Sequence, residues 1–279
     1  MGVGPAGWII LGTPFRCLDL PPDVRTDLDA LLQGFPPLPP GPGEAVDFRY
    51  EPRDGGDGGD GGDAVLAEPG GPLWDLPRDV GPISSQIEYR LVNAAIARAG
   101  ERWILHAGAV EGPRGTCLVI GESGAGKTSL TLWLWSGGLR LVTDDLCPVR
   151  HGSLAPERFP RGLHMDCEYS PRLLERIPPR PAGYPADYYP FPDASAGEPP
   201  PVSDLLVIER GPDPRGEVTP LSQAEAAHRL LAAIIKAPGF DYGSALAGMI
   251  GLASRCQARL LRSSTPEGAG ETAAALLTG

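Results

Sequence analysis

The segment GESGAGKT, residues 121–128, constrains this chain more than any other stretch of it. It fits the pattern G-x-x-x-x-G-K-[ST], whose glycines let a loop fold tightly and turn several backbone N–H groups toward one anion. With the residue frequencies of this chain, that pattern should arise by chance only about 0.003 times. The apolar residues 117–120 precede it and a further apolar run follows it. The sequence therefore predicts a strand, a phosphate-binding loop and a helix, in that order.

Two side chains of this segment have chemistry that suits a nucleotide. Lys127, one of the two lysines of the chain, would neutralise terminal phosphates, and Thr128 offers a hydroxyl to Mg²⁺. The start of the following helix adds a partial positive charge. The alternative is a glycine-rich turn that binds no ligand. The predicted nucleotide-binding residues are Gly121, Glu122, Ser123, Gly124, Ala125, Gly126, Lys127, Thr128 and Ser129.

Two adjacent acids, Asp144 and Asp145, follow the apolar run LRLV at residues 139–142. About ten helical residues and a Gly-Gly turn separate this run from the loop, so a right-handed crossover should place the new strand parallel to the first one, with its carboxyl end beside the loop. The acids would then reach the bound metal and the terminal phosphate. One carboxylate could hold the metal while the other takes a proton from an attacking hydroxyl. The alternative is a solvated pair of acids at the start of a loop.

His106 lies in the segment WILHAGAV, at or near a predicted strand end on the same side as the acids. A lone histidine in such a place is either an ordinary core or edge residue or a residue of the site. His151, His164 and His228 show no spacing typical of metal ligands, and they are assigned no role.

Composition excludes several classes of partner. The net charge is −11 and the sequence pI about 4.8, and we find no cluster of basic residues that could follow a nucleic acid or an anionic membrane. No run of apolar residues approaches the length of a membrane span, and the first residues lack the basic start of a signal peptide.

The five cysteines include no C-x-x-C pair, which favours reduced thiols in a cytoplasmic protein.

The first 82 residues are expected to form an N-terminal subdomain. PPDVRTDLDALLQGF predicts a short helix and AVDFRYEP a strand. A flexible Gly/Asp-rich linker is expected at about residues 51–63. The Gly-Gly-Asp repeat there lacks the apolar residues that a calcium-binding repeat places between its turns.

Residues 83–279 are expected to form the core domain. Helical and strand patterns alternate along it, which indicates an α/β fold. Its first predicted helix carries Ser85 and Glu88 at capping-box spacing, and a later one carries Ser222 and Glu225. The Pro/Tyr-rich segment 177–201 cannot be a packed element on its pattern. It is either a disordered insertion or a loop that contacts substrate.

The segment LHAGAVEGPRGTCLVIGESGAGKTSLTLWLWSGGLRLVTDD resembles the core of the HPr kinase/phosphorylase family. The resemblance covers residues 103–146 and implies a P-loop fold like that of phosphoenolpyruvate carboxykinase. It implies an ATP- and Mg²⁺-dependent kinase that moves the γ-phosphoryl group to a serine hydroxyl. By position, Asp144 would be the base, Thr128 and Asp145 would serve Mg²⁺, and His106 and Lys127 would act at the transferred group.

Further downstream, the segment RFPRGLHMD partly matches a signature of the same family, and Arg161 would correspond to its arginine, a contact to phosphate or substrate. Phe159 stands where the family has an acid, so reverse phosphorolysis is not implied. The chain is more similar to the shorter members that phosphorylate a serine of a ribosomal peptide precursor, such as a lasso peptide. The resemblance also suggests a homo-oligomer.

Two other functions remain open on the sequence. One is a P-loop ATPase or regulatory switch that transfers phosphate to water or only changes shape. The other is a nucleotide-binding interaction module without phosphotransfer. A serine-containing peptide or protein partner belongs to the kinase hypothesis alone, and labelled ATP would separate the three.

Overall fold

The computed structural model describes residues 6–39, 44–53, 64–68, 70–77, 82–165, 169–182, 184–185, 188–192 and 197–279. The chain divides into two compact units. The first unit comprises Met1–Gly100, Arg161–His164 and Pro181–Phe191, and the second comprises Glu101–Pro160, Met165–Arg180 and Pro192–Gly279. Among the described residues, no helix is both long enough and apolar enough to pass through a membrane.

Strands and helices alternate through the second unit, as the sequence predicts for an α/β fold. The strands are β1 Ala6–Ile10, β2 Thr13–Leu18, β3 Val46–Pro52, β4 Ala64–Ala67, β5 Leu73–Leu76, β6 Arg102–His106, β7 Gly108–Gly112, β8 Gly115–Gly121, β9 Arg140–Thr143, β10 Leu146–Arg150, β11 Leu163–His164, β12 Tyr188–Tyr189, β13 Val202–Arg210, β14 Glu217–Pro220 and β15 Gln257–Ser263. The helices are α1 Pro22–Leu31, α2 Ile83–Ala97, α3 Lys127–Ser136, α4 Pro171–Arg176, α5 Gln223–Ala233, α6 Tyr242–Ala253 and α7 Pro266–Thr278.

The first unit contains a five-stranded sheet in the order β1-β2-β3-β4-β5. Only the β2–β3 pair of this sheet is parallel. Phe15 and Phe48 are fully buried with their rings 6.0 Å apart, and α1 adds Leu28 and Leu31 to the buried set. The predicted helix and strand of this region are confirmed as α1 and β3. Residues 54–63 of the predicted linker lie outside the described residues.

Helix α2 belongs to the first unit, where it packs against α1 and β5, whereas the sequence analysis assigned it to the core domain. The predicted capping box at Ser85 is wrong because the helix starts earlier, at Ile83, with Pro82 as its N-cap. Glu88, the predicted partner in that box, is 1 % exposed and pairs instead with Arg161 at 2.9 Å. Burying the Glu88 carboxylate without a cation would cost more free energy than the helix loses without this cap.

The prediction that segment 177–201 is unpacked is wrong for its described aromatic residues. Tyr188 and Tyr189 form β12, which pairs with β11, and both side chains are buried together with Phe191. The Tyr184 hydroxyl donates to the Ala30 carbonyl at 2.7 Å. Aromatic side chains bury enough apolar area to hold a proline-rich segment that lacks regular structure. Residues 183, 186–187 and 193–196 lie outside the described residues.

The second unit is built on a six-stranded sheet in the order β14-β15-β13-β8-β7-β9. Strands β8, β13 and β15 are parallel, so their carboxyl ends lie at one edge of the sheet. Helices α5 and α6 pack on one face over Leu118, Ile120 and Val207. The capping box predicted for α5, with Ser222 and Glu225, is confirmed.

The two strands around α3 run in the same direction, as predicted, but they are not neighbours in the sheet. Strand β7 lies between β8 and β9 and pairs antiparallel with both, so β9 still runs in the same direction as β8. The segment WILHAGAV divides at Ala107 into β6, which pairs with β10, and β7. The Ala107 N–H donates to the Asp145 carbonyl at 2.9 Å, so the break between β6 and β7 lies beside the acid pair.

Gly108, the first residue of β7, lets α3 lie close to the sheet. A Cβ atom at this position would collide with the Oγ1 atom of Thr131, which donates to the Lys127 carbonyl at 2.8 Å. At Gly112, in the same strand, the atom nearest to an added Cβ is 3.8 Å away. Gly108 therefore helps to set the position of the residues at the start of α3.

We expect Gly108→Ala to lower the free energy of unfolding by about 1–3 kcal/mol, because the added methyl group overpacks this contact. Urea unfolding measures the change. Gly112→Ala is the matched control, and we expect it to have a smaller effect. Equal effects of the two substitutions would show that the close contact at Thr131 does not limit stability.

Candidate active site

The glycine-rich loop, residues 121–128, connects β8 to α3, as the sequence predicts. Gly124 and Gly126 have φ angles of 74° and 99°, values that L side chains rarely adopt. Gly121 is required for another reason, since a Cβ atom there would lie 2.6 Å from the carbonyl oxygen of Ile208 on β13. Backbone conformation and close packing thus explain these three glycines.

Gly126 is the N-cap of α3 and has no side chain that could accept hydrogen bonds from the first turn. The first N–H groups of a helix then need another acceptor, and an anion at the N-terminus also meets a favourable dipole. The loop can therefore hold phosphate oxygens.

Lys127 is 7 % exposed, and its Nζ atom donates to the carbonyl oxygens of Gly121 and Glu122 at 3.0 and 3.1 Å. Burial lowers the pKa of Lys127, whereas the nearby charge of Asp145 acts in the opposite direction. A negatively charged neighbour stabilises the charged form of an ammonium group that has lost part of its hydration. A phosphate oxygen beside Nζ would be such a neighbour.

The structure brings His106 and Asp145 together. The His106 Nε2 and Asp145 Oδ1 atoms are 3.1 Å apart, with about two fifths of each side chain exposed. Asp144, the other member of the acid pair, is 7 % exposed. The strand ends of β6 and β9 thus bring His106 and Asp145 into contact, and Asp145 is close enough to affect the pKa of Lys127.

A cavity of about 540 Å³ opens at the carboxyl edge of the main sheet. Residues 123–130 of the loop and α3 line it, together with His106 and Tyr169. Its wall continues over residues 208–210 at the end of β13 and over residues between 261 and 269, at the end of β15 and the start of α7. This is the sheet edge at which open α/β folds bind their ligands.

Oxygen atoms suited to Mg²⁺ are present at this cavity. Thr128, which carries a hydroxyl group, lines it, and so does His106, which contacts the partly exposed carboxylate of Asp145. The described residues contain no cluster of three acidic, histidine or cysteine side chains arranged for a metal. A magnesium ion here would take its other ligands from phosphate and water, as is usual for Mg²⁺. The residues therefore fit this cofactor.

Arg161 has a different contact from the predicted one. It lies in the first unit, where its Nε atom is 2.9 Å from Oε1 of the buried Glu88. This ion pair gives an opposite charge to a carboxylate that would be costly to bury alone. A contact between Arg161 and phosphate or substrate stays a prediction from the resemblance.

The sequence analysis missed several residues that line the cavity. Arg210 ends β13, Tyr169 precedes α4, and the segment 263–266 runs from the last residue of β15 to the first residue of α7. No motif marks these positions. The available signal was topological, since a residue at the carboxyl end of a parallel strand next to the loop must lie near it.

Fold and site together define a mixed α/β protein with a glycine-rich loop and an acid pair at one edge of a sheet. The chain is 37 % identical over 82 residues to HPr kinase/phosphorylase of Stenotrophomonas maltophilia strain K279a, and to that of strain R551-3 at the same identity. The matched part is 29 % of this chain and 25 % of each relative, so the chain spans about a quarter of their length. No family model matches the chain. These matches support a distant HPr-kinase-like relationship.

Proposed function

We propose that this protein is an ATP-dependent kinase that transfers the γ-phosphoryl group to a serine hydroxyl of a peptide or protein. The observation that carries the proposal is the position of Asp145, in contact with His106 and close enough to affect the Lys127 pKa. A phosphate loop and an acid pair in one place are what phosphoryl transfer to a hydroxyl requires. The distant similarity to HPr kinases suggests the same kind of activity.

Phosphate binding falls to the glycine-rich loop in this proposal. Lys127 and the N–H groups at the start of α3 hold the phosphate oxygens. Thr128 and Asp145 would hold Mg²⁺, which would neutralise charge on the terminal phosphates. His106 is a positioning residue, because its contact with the Asp145 carboxylate fixes the orientation of that group.

Asp144 accepts the proton of the incoming serine hydroxyl in this proposal. If Asp145 and Asp144 serve one site, the Asp144 carboxylate lies within a short distance of the serine hydroxyl oxygen. Asp144 is buried, so the proton passes to a group with little access to bulk water. Water exclusion of this kind also limits hydrolysis of the nucleotide.

The acceptor we propose is a serine of a ribosomal peptide precursor, such as a lasso peptide, or of a small protein. We place the reaction in the cytoplasm and expect a homo-oligomer, with neither nucleic acid nor membrane as a partner. The net charge of −11 disfavours binding to polyanions.

The test is incubation with γ-labelled ATP, Mg²⁺ and serine-containing peptides encoded beside the gene. The proposal predicts label on a serine of one peptide, and Ser→Ala in that peptide should abolish it. Free phosphate formed at a rate that no peptide alters would instead support an ATPase or switch. ATP binding without turnover would support an interaction module.

A further inference from the structure

The five-stranded sheet of the first unit has one edge that the chain itself covers and one that it leaves open. At the β1 edge, the Ile9 N–H donates to the Pro36 carbonyl at 2.8 Å. The Leu38 N–H donates in turn to the Gly7 carbonyl at 2.9 Å. Strand β5 forms the opposite edge, and β4 is its one neighbour among the described strands. An uncovered edge strand offers unpaired backbone groups to another extended chain.

The register of β5 against β4 shows which backbone groups are unpaired. The Glu68 N–H donates to the Pro72 carbonyl at 3.4 Å, so these two residues form a hydrogen-bonded pair. Such pairs alternate along an antiparallel ladder with pairs that have no hydrogen bonds. Leu73 and Asp75 therefore occupy the second kind of position. Their N–H and C=O groups point away from β4, and none of them bonds to another backbone group within the described part of the chain.

Exposed apolar and aromatic side chains surround this open edge. Leu73 is 68 % exposed, and Tyr89 on the neighbouring helix α2 is 57 % exposed. Trp74 faces the other side of β5 from Leu73, and its ring stacks on that of Phe48 at 5.6 Å. The Arg90 guanidinium carbon lies 5.8 Å from the centre of the Trp74 ring and 5.7 Å from that of Tyr89. Tryptophan, tyrosine and arginine are the side chains that contribute most to protein interfaces.

The charge of Arg90 is available to a partner. Its guanidinium group contacts the two rings, and no acid pairs with it among the residues that the structure describes. Arg98, at the end of the same helix, does pair with an acid, Glu68. A guanidinium group that lies on aromatic rings keeps donors for a carboxylate. In a chain with a net charge of −11, Arg90 thus marks a local site for an acidic partner.

We propose that β5 and α2 bind an extended acidic segment of a partner peptide, which adds to the five-stranded sheet beside β5. An added strand lies about 4.8 Å from its neighbour, within reach of the outward N–H and C=O groups of Leu73 and Asp75. Every second side chain of the peptide then faces the side of Trp74 and Arg90, where a carboxylate pairs with the guanidinium group. The backbone hydrogen bonds supply affinity, and the alternate side chains supply specificity.

A second copy of this chain fits the same edge less well. Pairing of β5 with its own copy would bring two Arg90 side chains to a strand of four residues. Like charges at that spacing repel each other, whereas an acidic peptide brings the opposite charge. The inference does not depend on the proposed kinase activity, because the peptide is bound without a nucleotide.

The test measures fluorescence anisotropy of a labelled hexapeptide of alternating valine and glutamate, without ATP. The same peptide with lysine in place of glutamate should bind about tenfold or more weakly, because Arg90 repels it. We expect Arg90→Glu to weaken binding of the glutamate peptide by about fivefold or more. Arg172→Glu, at an exposed arginine of α4, is the matched control and should leave the affinity unchanged.

Two N-methylated peptides separate strand addition from attraction between charges alone. The N–H groups of alternate residues in a strand face the same neighbour. Methylation of either the valines or the glutamates thus removes the N–H groups that face β5, and methylation of the other set removes those that face solvent. One methylated peptide should bind about tenfold or more weakly than the other. Both are measured on the wild-type protein, so this result does not depend on the folding of a variant.

The inference is overturned if the glutamate peptide does not bind, if Arg90→Glu binds it as tightly as the wild type does, or if the two methylated peptides bind equally. It is also overturned if ultracentrifugation shows that the peptide converts an oligomer of this chain to monomers, because a second copy would then occupy the edge. Failure of the kinase proposal has a different outcome, in which the glutamate peptide binds at β5 and no serine is labelled by ATP.

Discussion

Asp144→Asn is expected to lower phosphoryl transfer by about 100-fold or more, because a positioned general base contributes about 10²–10⁴ in rate. The amide keeps the shape of the carboxylate but cannot accept the serine proton. Nucleotide binding should change little, since Lys127 and the loop amides hold the phosphates. Steady-state kinetics with a saturating peptide and a separate ATP titration measure the two effects.

Asp23→Asn is a matched control, because Asp23 is an exposed acid on α1. It should leave both transfer and binding near the wild-type values. If Asp144→Asn retained full activity, Asp144 would not be the base. If it lost ATP affinity in proportion to its activity, Asp144 would serve binding rather than proton transfer.

Lys127→Ala is expected to weaken ATP binding by about tenfold or more and to lower transfer by about 10²–10³. The ammonium group is largely buried and lies between the loop carbonyls and the field of Asp145. Its removal leaves the terminal phosphates facing an acid without compensation. Calorimetry gives the change in affinity, and the labelled-peptide assay gives the change in transfer.

Lys236 is the other lysine of the chain, which makes Lys236→Ala the natural control. It is exposed, and its Nζ atom lies 5.2 Å from the centre of the Tyr242 ring. The control should bind ATP normally. A Lys127→Ala protein with wild-type affinity for ATP would mean that the loop does not hold phosphates.

Local patterns explain most of what could be predicted from the sequence. The start and end of α3 follow from the glycines on either side of it, and the cap of α5 follows from Ser222 and Glu225. These caps depend on residues that are close together in the sequence, so distant contacts do not change them. The failed cap at Ser85 shows the limit, because burial of Glu88 against Arg161 is a contact between distant residues.

Strand order could not be predicted in the same way. The insertion of β7 between β8 and β9 depends on pairing between segments whose sequences permit several registers. The direction of β9 was nevertheless as predicted, and direction alone decides at which edge Asp144 and Asp145 lie.

The candidate site also has one part that the sequence predicts and another part that it does not. The glycine-rich loop is a contiguous motif and could be found without a structure. The contact between His106 and Asp145 needs the pairing of β6 with β10, and the lining by Arg210 and residues 263–266 needs the parallel order of three distant strands. Contacts of this kind leave no pattern in a single sequence.

Transfer to a hydroxyl rather than to water is the central claim, and the ratio of phosphoserine to ADP tests it most directly. The ratio is measured with wild-type protein, its peptide acceptor, Mg²⁺ and ATP. Our account predicts equal amounts of phosphoserine and ADP throughout the reaction. ADP and free phosphate formed without phosphoserine would contradict it.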